Sequence, residues 1–167
     1  GDTVIAPAPL RPYADEVGAD PGRLRIGLLD RHPRGGALHD DCVDAVRRAA
    51  TLLESLGHDV DVGYPAPLAD DSFTPRFMSI WATMMVLGLD VYGDAIGRPL
   101  TEEEVEPVNW AQARFASRMT AVDYANSLAA VAEYRRAIQQ WWADGWDLLL
   151  SPTLAEPPLL VGELDPE

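Results

Sequence analysis

The chain has 167 residues, enough for one domain with a sizeable core, and its 47% hydrophobic and 24% charged residues are those of an ordinary globular protein. Its net charge of −14 argues against nucleic acid and anionic membrane surfaces as partners, because both are polyanions. All 13 basic residues are arginine, so no lysine base, Schiff base or lysine phosphate clamp can come from this sequence.

One cysteine, Cys42, excludes an intramolecular disulfide and fits a reducing compartment, so a cytoplasmic location is expected. No charged-then-apolar leader opens the sequence, and no run approaches the roughly 18 apolar residues that a membrane span needs. Both ends read as cut. The run Gly1–Pro7 is irregular, and the chain stops in the Pro-rich acidic Asp165-Pro166-Glu167.

Residues 1–23 hold Pro7, Pro9, Pro12 and Pro21 and read as an irregular linker. Leu24 to Asp30 is the first strand candidate, ended by the turn-rich Arg31-His32-Pro33-Arg34-Gly35-Gly36. From Asp40 to Leu56 the pattern turns helical, with Val43, Val46, Ala50 and Leu53 on one face. Asp40 is the expected N-cap, and Gly57 the residue that closes the C-terminus. His58 to Val62 alternates and reads as a second strand, so residues 24–64 predict a βαβ unit.

Residues 75–145 predict a helical insertion. Phe77 to Tyr92 is apolar almost all round, which marks a helix that is buried or covers a groove. Gly93 and Gly97 are expected to break it. Thr101-Glu102-Glu103-Glu104 has the spacing of a capping box, and Pro107 is expected to start a helix running to about Met119. Thr120-Ala121-Val122-Asp123 caps the longest helix, to about Ala143, with Leu128, Val131, Ala132, Ile138 and Trp142 inward. Then Asp147-Leu148-Leu149-Leu150-Ser151-Pro152-Thr153 reads as a returning strand and loop over 146–153, the strand buried on both faces. The predicted class is α/β: part of a mixed, largely parallel sheet flanked by helices, with the helical insertion between strands. Residues 24–167 form one fragment of a single domain on this reading.

Four stretches in order carry a resemblance. L-R-I-G-L-L-D, followed by a helix and L-E-S-L-G-H-D-V, resembles a part of the amidase signature family of serine hydrolases that follows the catalytic core. V-E-P-V-N-W-A-Q-A-R and T-A-V-D-Y-A-N-S-L are similar to that family's helical insertion, and D-L-L-L-S-P-T-L-A-E-P-P to its returning strand and loop. The helical part is similar to the aryl-amide and cyclic-amide (nylon-oligomer type) branch. The resemblance implies a small amide substrate, no cofactor, and a triad of a serine nucleophile, a second serine and a lysine base. That triad lies in a Gly/Ser-rich region upstream of the matching part. This sequence holds no such region and no lysine, so no catalytic residue carries over. The implied role is a C-terminal-side fragment that supplies sheet strands and substrate wall and is inactive alone. The rival from another class is a stand-alone acidic interaction or scaffold module, and a third reading is a pseudo-enzyme.

Two residues are candidates for contact with substrate. Trp110 lies in the segment that lines the substrate entrance in the resembled family, and Trp81, with Met84 and Met85, offers a flexible apolar wall. Plain helix packing explains both as well. Because that wall is apolar, the substrate is expected to be neutral or hydrophobic. Ser151 ends a strand, where α/β enzymes place reactive groups, but no base or glycine elbow accompanies it. His32, His39 and His58 match no metal-ligand spacing, and no metal site is expected. Cys42 reads as a small, partly buried residue. The run Glu102-Glu103-Glu104-Glu106 reads as a solvated helix start. Strands cut from a larger sheet leave open edges, so self-association is the expected partner behaviour.

Overall fold

The computed structural model describes residues 8–163; the expectations for Gly1–Pro7 and Asp165–Glu167 lie outside them. Strand β1, Arg25–Leu28, is the centre of a three-stranded parallel sheet in the order β2-β1-β3. Helix α1, Asp40–Ser55, leads to β2, Asp59–Val62. Helices α2 (Phe73–Ile96), α3 (Pro107–Ala116) and α4 (Ala121–Ala143) follow, and β3, Leu148–Leu150, returns to the far side of β1. The helical insertion between strands is therefore real, and every pairing in the sheet is parallel.

Register follows from the side chains. Ile26 lies level with Val60 and Leu148, and Leu28 with Val62 and Leu150. Leu150 shares a groove with Cys42, Val46 and Ala49, so α1 covers that face. Ile26 is 1% exposed there, and burial of such a side chain contributes about 1.5–3 kcal/mol. Val46 and Ala50 form the buried stripe of α1, as their spacing predicts. The Asp30 carboxylate, at the end of β1, accepts from Arg47 Nε and Nη2 at 3.1 and 2.9 Å, which ties strand to helix. That contact first, then the nearby positive charges of Arg47 and Arg31, holds its pKa below the ordinary carboxylate value.

The opposite face belongs to tryptophan. A Cβ at Gly27 would stand 2.6 Å from the Trp141 ring and 2.6 Å from the Gly63 carbonyl oxygen. Trp141 is 9% exposed and stacks on Trp146, with centroids 5.0 Å apart and planes within 5°. Trp142 meets Trp141 edge-on at 4.7 Å, and the Arg25 guanidinium lies 3.9 Å from the Trp146 centroid. Asp147 fixes the start of β3. Its carboxylate accepts from Arg25 N–H at 2.8 Å, and its own N–H donates to the Arg25 carbonyl at 2.9 Å.

Several expectations need correction. The N-cap of α1 is His39, not Asp40: the His39 ring Nδ1 accepts from Asp41 N–H at 3.2 Å. Helix α2 is neither broken at Gly93 nor buried all round. Gly93 is buried inside it, where the Arg98 carbonyl and Pro99 approach closely, and Gly97 at φ 76° ends it. Phe77, Trp81, Met84, Leu87 and Val91 form an exposed apolar stripe along α2. On α4 the inward stripe is Tyr124, Ser127, Val131, Tyr134, Ile138 and Trp141, while Leu128 is exposed. Tyr134 stacks on Phe73 at 4.0 Å and joins α4 to α2. Strand β3 is not buried on both faces. It is an edge strand whose Leu148 is 47% exposed, because these residues supply only β1 as a partner.

Gly27→Ala is expected to lower stability by about 1–3 kcal/mol through overpacking against Trp141 and Gly63. The measurement is the urea midpoint at unchanged slope. Gly88→Ala is the control. A Cβ there meets nothing within 4 Å, so helix propensity should leave stability unchanged or raise it by about 0.5–1 kcal/mol.

Candidate functional site

Helices α2 and α3 pack against one another and leave a cleft of about 770 Å³ along one side of their contact. Trp110, half-buried in the first turns of α3, lines it with Val86 and Leu89 from α2 and Leu100 from the connection. Pro107 starts α3 because its fixed φ suits the first helical turn, where a missing N–H costs nothing. Ala113 is buried and lines the same cleft, so the two helices meet through a small side chain.

The connection is built around Glu104. The residues Glu102–Glu104 form one 3-10 turn, and the regular helix starts after it at Pro107. The Glu104 carboxylate accepts from Arg98 Nη1 and Nη2 at 2.8 and 2.6 Å and from Thr101 N–H at 3.0 Å. The Arg98 hydrogen bonds first, then the Thr101 N–H, hold its pKa down to about 2. This clamp shapes the rim of the cleft, since Arg98 and Leu100 both line it.

The two candidate tryptophans are not brought together. Trp110 faces the cleft, whereas Trp81 is 47% exposed on the apolar stripe of α2, two turns before Leu89, and lies tilted against Phe77 with centroids 6.0 Å apart. The cleft is also less apolar than expected. Asp90, Asp94, Arg98 and Arg114 line it beside Trp110. Reading for periodicity missed these residues. The signal that could have found them is two aspartates four residues apart in an otherwise apolar helix.

The remaining candidates have structural roles. Each histidine accepts a backbone N–H through Nδ1: His32 from Arg34 at 3.1 Å, His39 from Asp41 at 3.2 Å, and His58 from Leu24 at 3.3 Å. Ser151 is exposed at the end of β3, in a groove with Cys42 that no histidine lines. Among the described residues no three histidine, cysteine or acidic side chains gather as a metal site, and no helix is long and apolar enough to cross a membrane. The side-chain oxygen of Gln112 on α3 is buried without a hydrogen-bond partner among them.

Comparison with known proteins places this architecture. The family described as Amidase matches residues 2–167. The 6-aminohexanoate-cyclic-dimer hydrolase of Pseudomonas sp. (strain NK87) is 39% identical over 165 residues, 98% of this chain and 34% of that enzyme. The solved structure of a 6-aminohexanoate cyclic dimer hydrolase complexed with substrate superimposes with a TM-score of 0.94 at 38% identity, over 99% of this chain and 34% of that one. A bacterial aryl acylamidase of the amidase signature family shares the fold, with a TM-score of 0.64 at 18% identity over 86% of this chain and 32% of that one. The chain thus spans about a third of the length of the relatives it matches.

The depressed pKa of Glu104 fixes the sign of a pH effect. Its contribution to order in the 98–104 connection is fully present above the ordinary glutamate range and is lost as pH falls through about 2. Arg98→Gln should return the Glu104 titration, followed by side-chain carboxyl NMR, toward the ordinary value. An unchanged midpoint would show that the clamp does not act.

Proposed function

The chain belongs to the amidase family, and from that premise we propose that it works as the C-terminal-side part of a longer amidase that cleaves carboxamide C–N bonds through a serine acyl-enzyme. The observation that carries the reading is the match over residues 2–167 to enzymes about three times as long, in a sequence without lysine. The upstream portion supplies the serine nucleophile, the second serine, the lysine base and the donors that stabilise the oxyanion. Attack by the serine expels the amine, which leaves with a proton, and water then releases the carboxylate. The present residues supply strands of the sheet and a wall of the substrate space, with 24–167 as one portion of a single domain and 1–23 as its linker.

On this wall Trp110 and Trp81 are the substrate-contacting residues. Trp110 presents an aromatic face in the cleft, and Trp81 an exposed ring on α2 beside Phe77. A small neutral amide, of the cyclic-dimer kind named for the relatives, suits flat apolar contacts of this type. The chemistry needs neither metal nor cofactor. The protein works in the cytoplasm, in keeping with its single cysteine, and has no nucleic-acid or membrane partner, in keeping with its acidic charge. The edge of β3 carries only leucine and the stripe on α2 only apolar groups, so the 167-residue chain self-associates through one or both.

The longer protein is expected to hydrolyse a cyclic 6-aminohexanoate dimer or an aryl amide, and the 167-residue chain to hydrolyse neither. Turnover by the chain alone, abolished by a serine-directed reagent, would overturn the assignment. In the longer protein Trp110→Ala should raise KM by roughly tenfold with a smaller loss in kcat, as expected for lost substrate contact. Sedimentation of the 167-residue chain should show species heavier than the 18.2 kDa monomer, and a monomer at high concentration would count against the open-edge reading.

A further inference from the structure

Helix α2 buries Ala82 and Gly93 against its neighbours and leaves the opposite face bare. Along that face run Phe77, Trp81, Met84, Gly88, Val91 and Ala95, at steps of four, three, four, three and four residues. Such steps are those of a helix-pair seam: an average of about 3.5 keeps one row of side chains facing one partner helix, here over about 27 Å of axis. Phe77, Met78, Trp81, Met84, Leu87, Val91 and Tyr92, in the seam or bordering it, are each 38–67% exposed. At about 150–250 Å² per large side chain, leaving roughly half of each bare gives on the order of 700 Å² per copy, close to the ~800 Å² that each partner buries in a standard interface. Gly88 adds an independent observation. Its φ is not positive, and a Cβ there would meet nothing within 4 Å, so neither backbone conformation nor packing within the described residues requires glycine. Glycine weakens a helix, and what it supplies at this point is room above the seam.

We infer that α2 is a self-pairing surface, through which two copies of the chain join antiparallel about a two-fold axis level with Val86. The step pattern reads the same in both directions, so reversal keeps the rows in register. Phe77 then lies level with Ala95 of the second copy, Trp81 with its Val91 and Met84 with its Gly88, and symmetry repeats each contact. Every larger side chain meets a smaller one, which lets the two rows interdigitate. A parallel pair would set Trp81 against Trp81 and glycine against glycine, a clash beside a void. This inference rests on the self-association proposed above and narrows it to α2, away from the edge of β3. A Trp81 ring packed in the seam is withdrawn from substrate, so the pair belongs to the 167-residue chain and not to the working longer protein.

The test is cysteine cross-linking of the 167-residue chain, with Cys42→Ser as background. On oxidation, Phe77→Cys mixed with Ala95→Cys should give a disulfide-linked pair of twice the 18.2 kDa monomer mass. Either variant alone should link at least roughly tenfold less, because in the antiparallel register its two cysteines stand about 27 Å apart along the axis. Equal linking by either variant alone would overturn the register. In sedimentation of the unlinked chain, Trp81→Glu should raise the dissociation constant at least roughly tenfold, whereas Leu148→Arg on the β3 edge should leave it within about twofold. Where Trp81→Glu fails to fold, the cross-linking decides by itself. Dissociation by Leu148→Arg and not by Trp81→Glu overturns this seam and leaves self-association through β3 standing. A monomer at every concentration overturns both. Neither result bears on hydrolysis by the longer protein, so the amidase reading stands or falls separately.

Discussion

The contact between Gly27 and Trp141 is the constraint on which the rest of the molecule depends. A helix 23 residues long ends in two tryptophans, and one of them must land on the central strand. It can do so because position 27 has no side chain: the ring occupies the place where a Cβ would stand. Trp146 stacks beneath it and takes the Arg25 guanidinium on its face, so the end of α4, the start of β3 and the start of β1 are locked in one layer. Once α4 is anchored, Phe73 on Tyr134 sets α2 against it, and α3 packs on α2. The cleft beside Trp110 thus inherits its position from a glycine in the sheet.

That chain of contacts holds only one side of each element. Strand β2 places Asp59 and Asp61 on the sheet edge, and Asp59 pairs with Arg23, a charged edge that resists further pairing. Strand β3 offers three leucines and no charge. Helix α2 covers Ala82 and Gly93 while Phe77, Trp81, Met84, Leu87 and Val91 face outward. This distribution leaves apolar surface uncovered in a chain that spans about a third of the length of its relatives.

The helical elements also show how one side chain can serve two ends. Glu104 draws Arg98 into the connection and holds the rim in place. The same pairing commits Arg98 to Glu104 at the rim, while Asp90, Asp94 and Arg114 line the cleft beside Trp110.

Most of the elements were legible in the residues because their signals are local. The period of α1, the reciprocal Thr120–Asp123 cap, Pro107 at the head of α3 and the left-handed Gly97 each act within a few residues of where they stand. The family resemblance was legible for a related reason, since four local stretches kept their order. The inward Ser127-Tyr134-Trp141 line was not, because it depends on a sheet far along the chain with room for a tryptophan. The cap at His39 and the helical Gly93 were not either, although their partners lie within six residues, because a ring nitrogen that caps and a carbonyl that approaches closely are not announced by residue type. Apolarity marks a side chain that can be buried; it does not say whether anything covers it. So the composition, the element types, the parallel sheet and the missing lysine follow from residue identities and short-range chemistry. The open faces of α2 and β3, the separation of Trp81 from Trp110 and the meeting of Asp90, Asp94 and Arg114 in one cleft follow only from packing, which brings distant residues within reach.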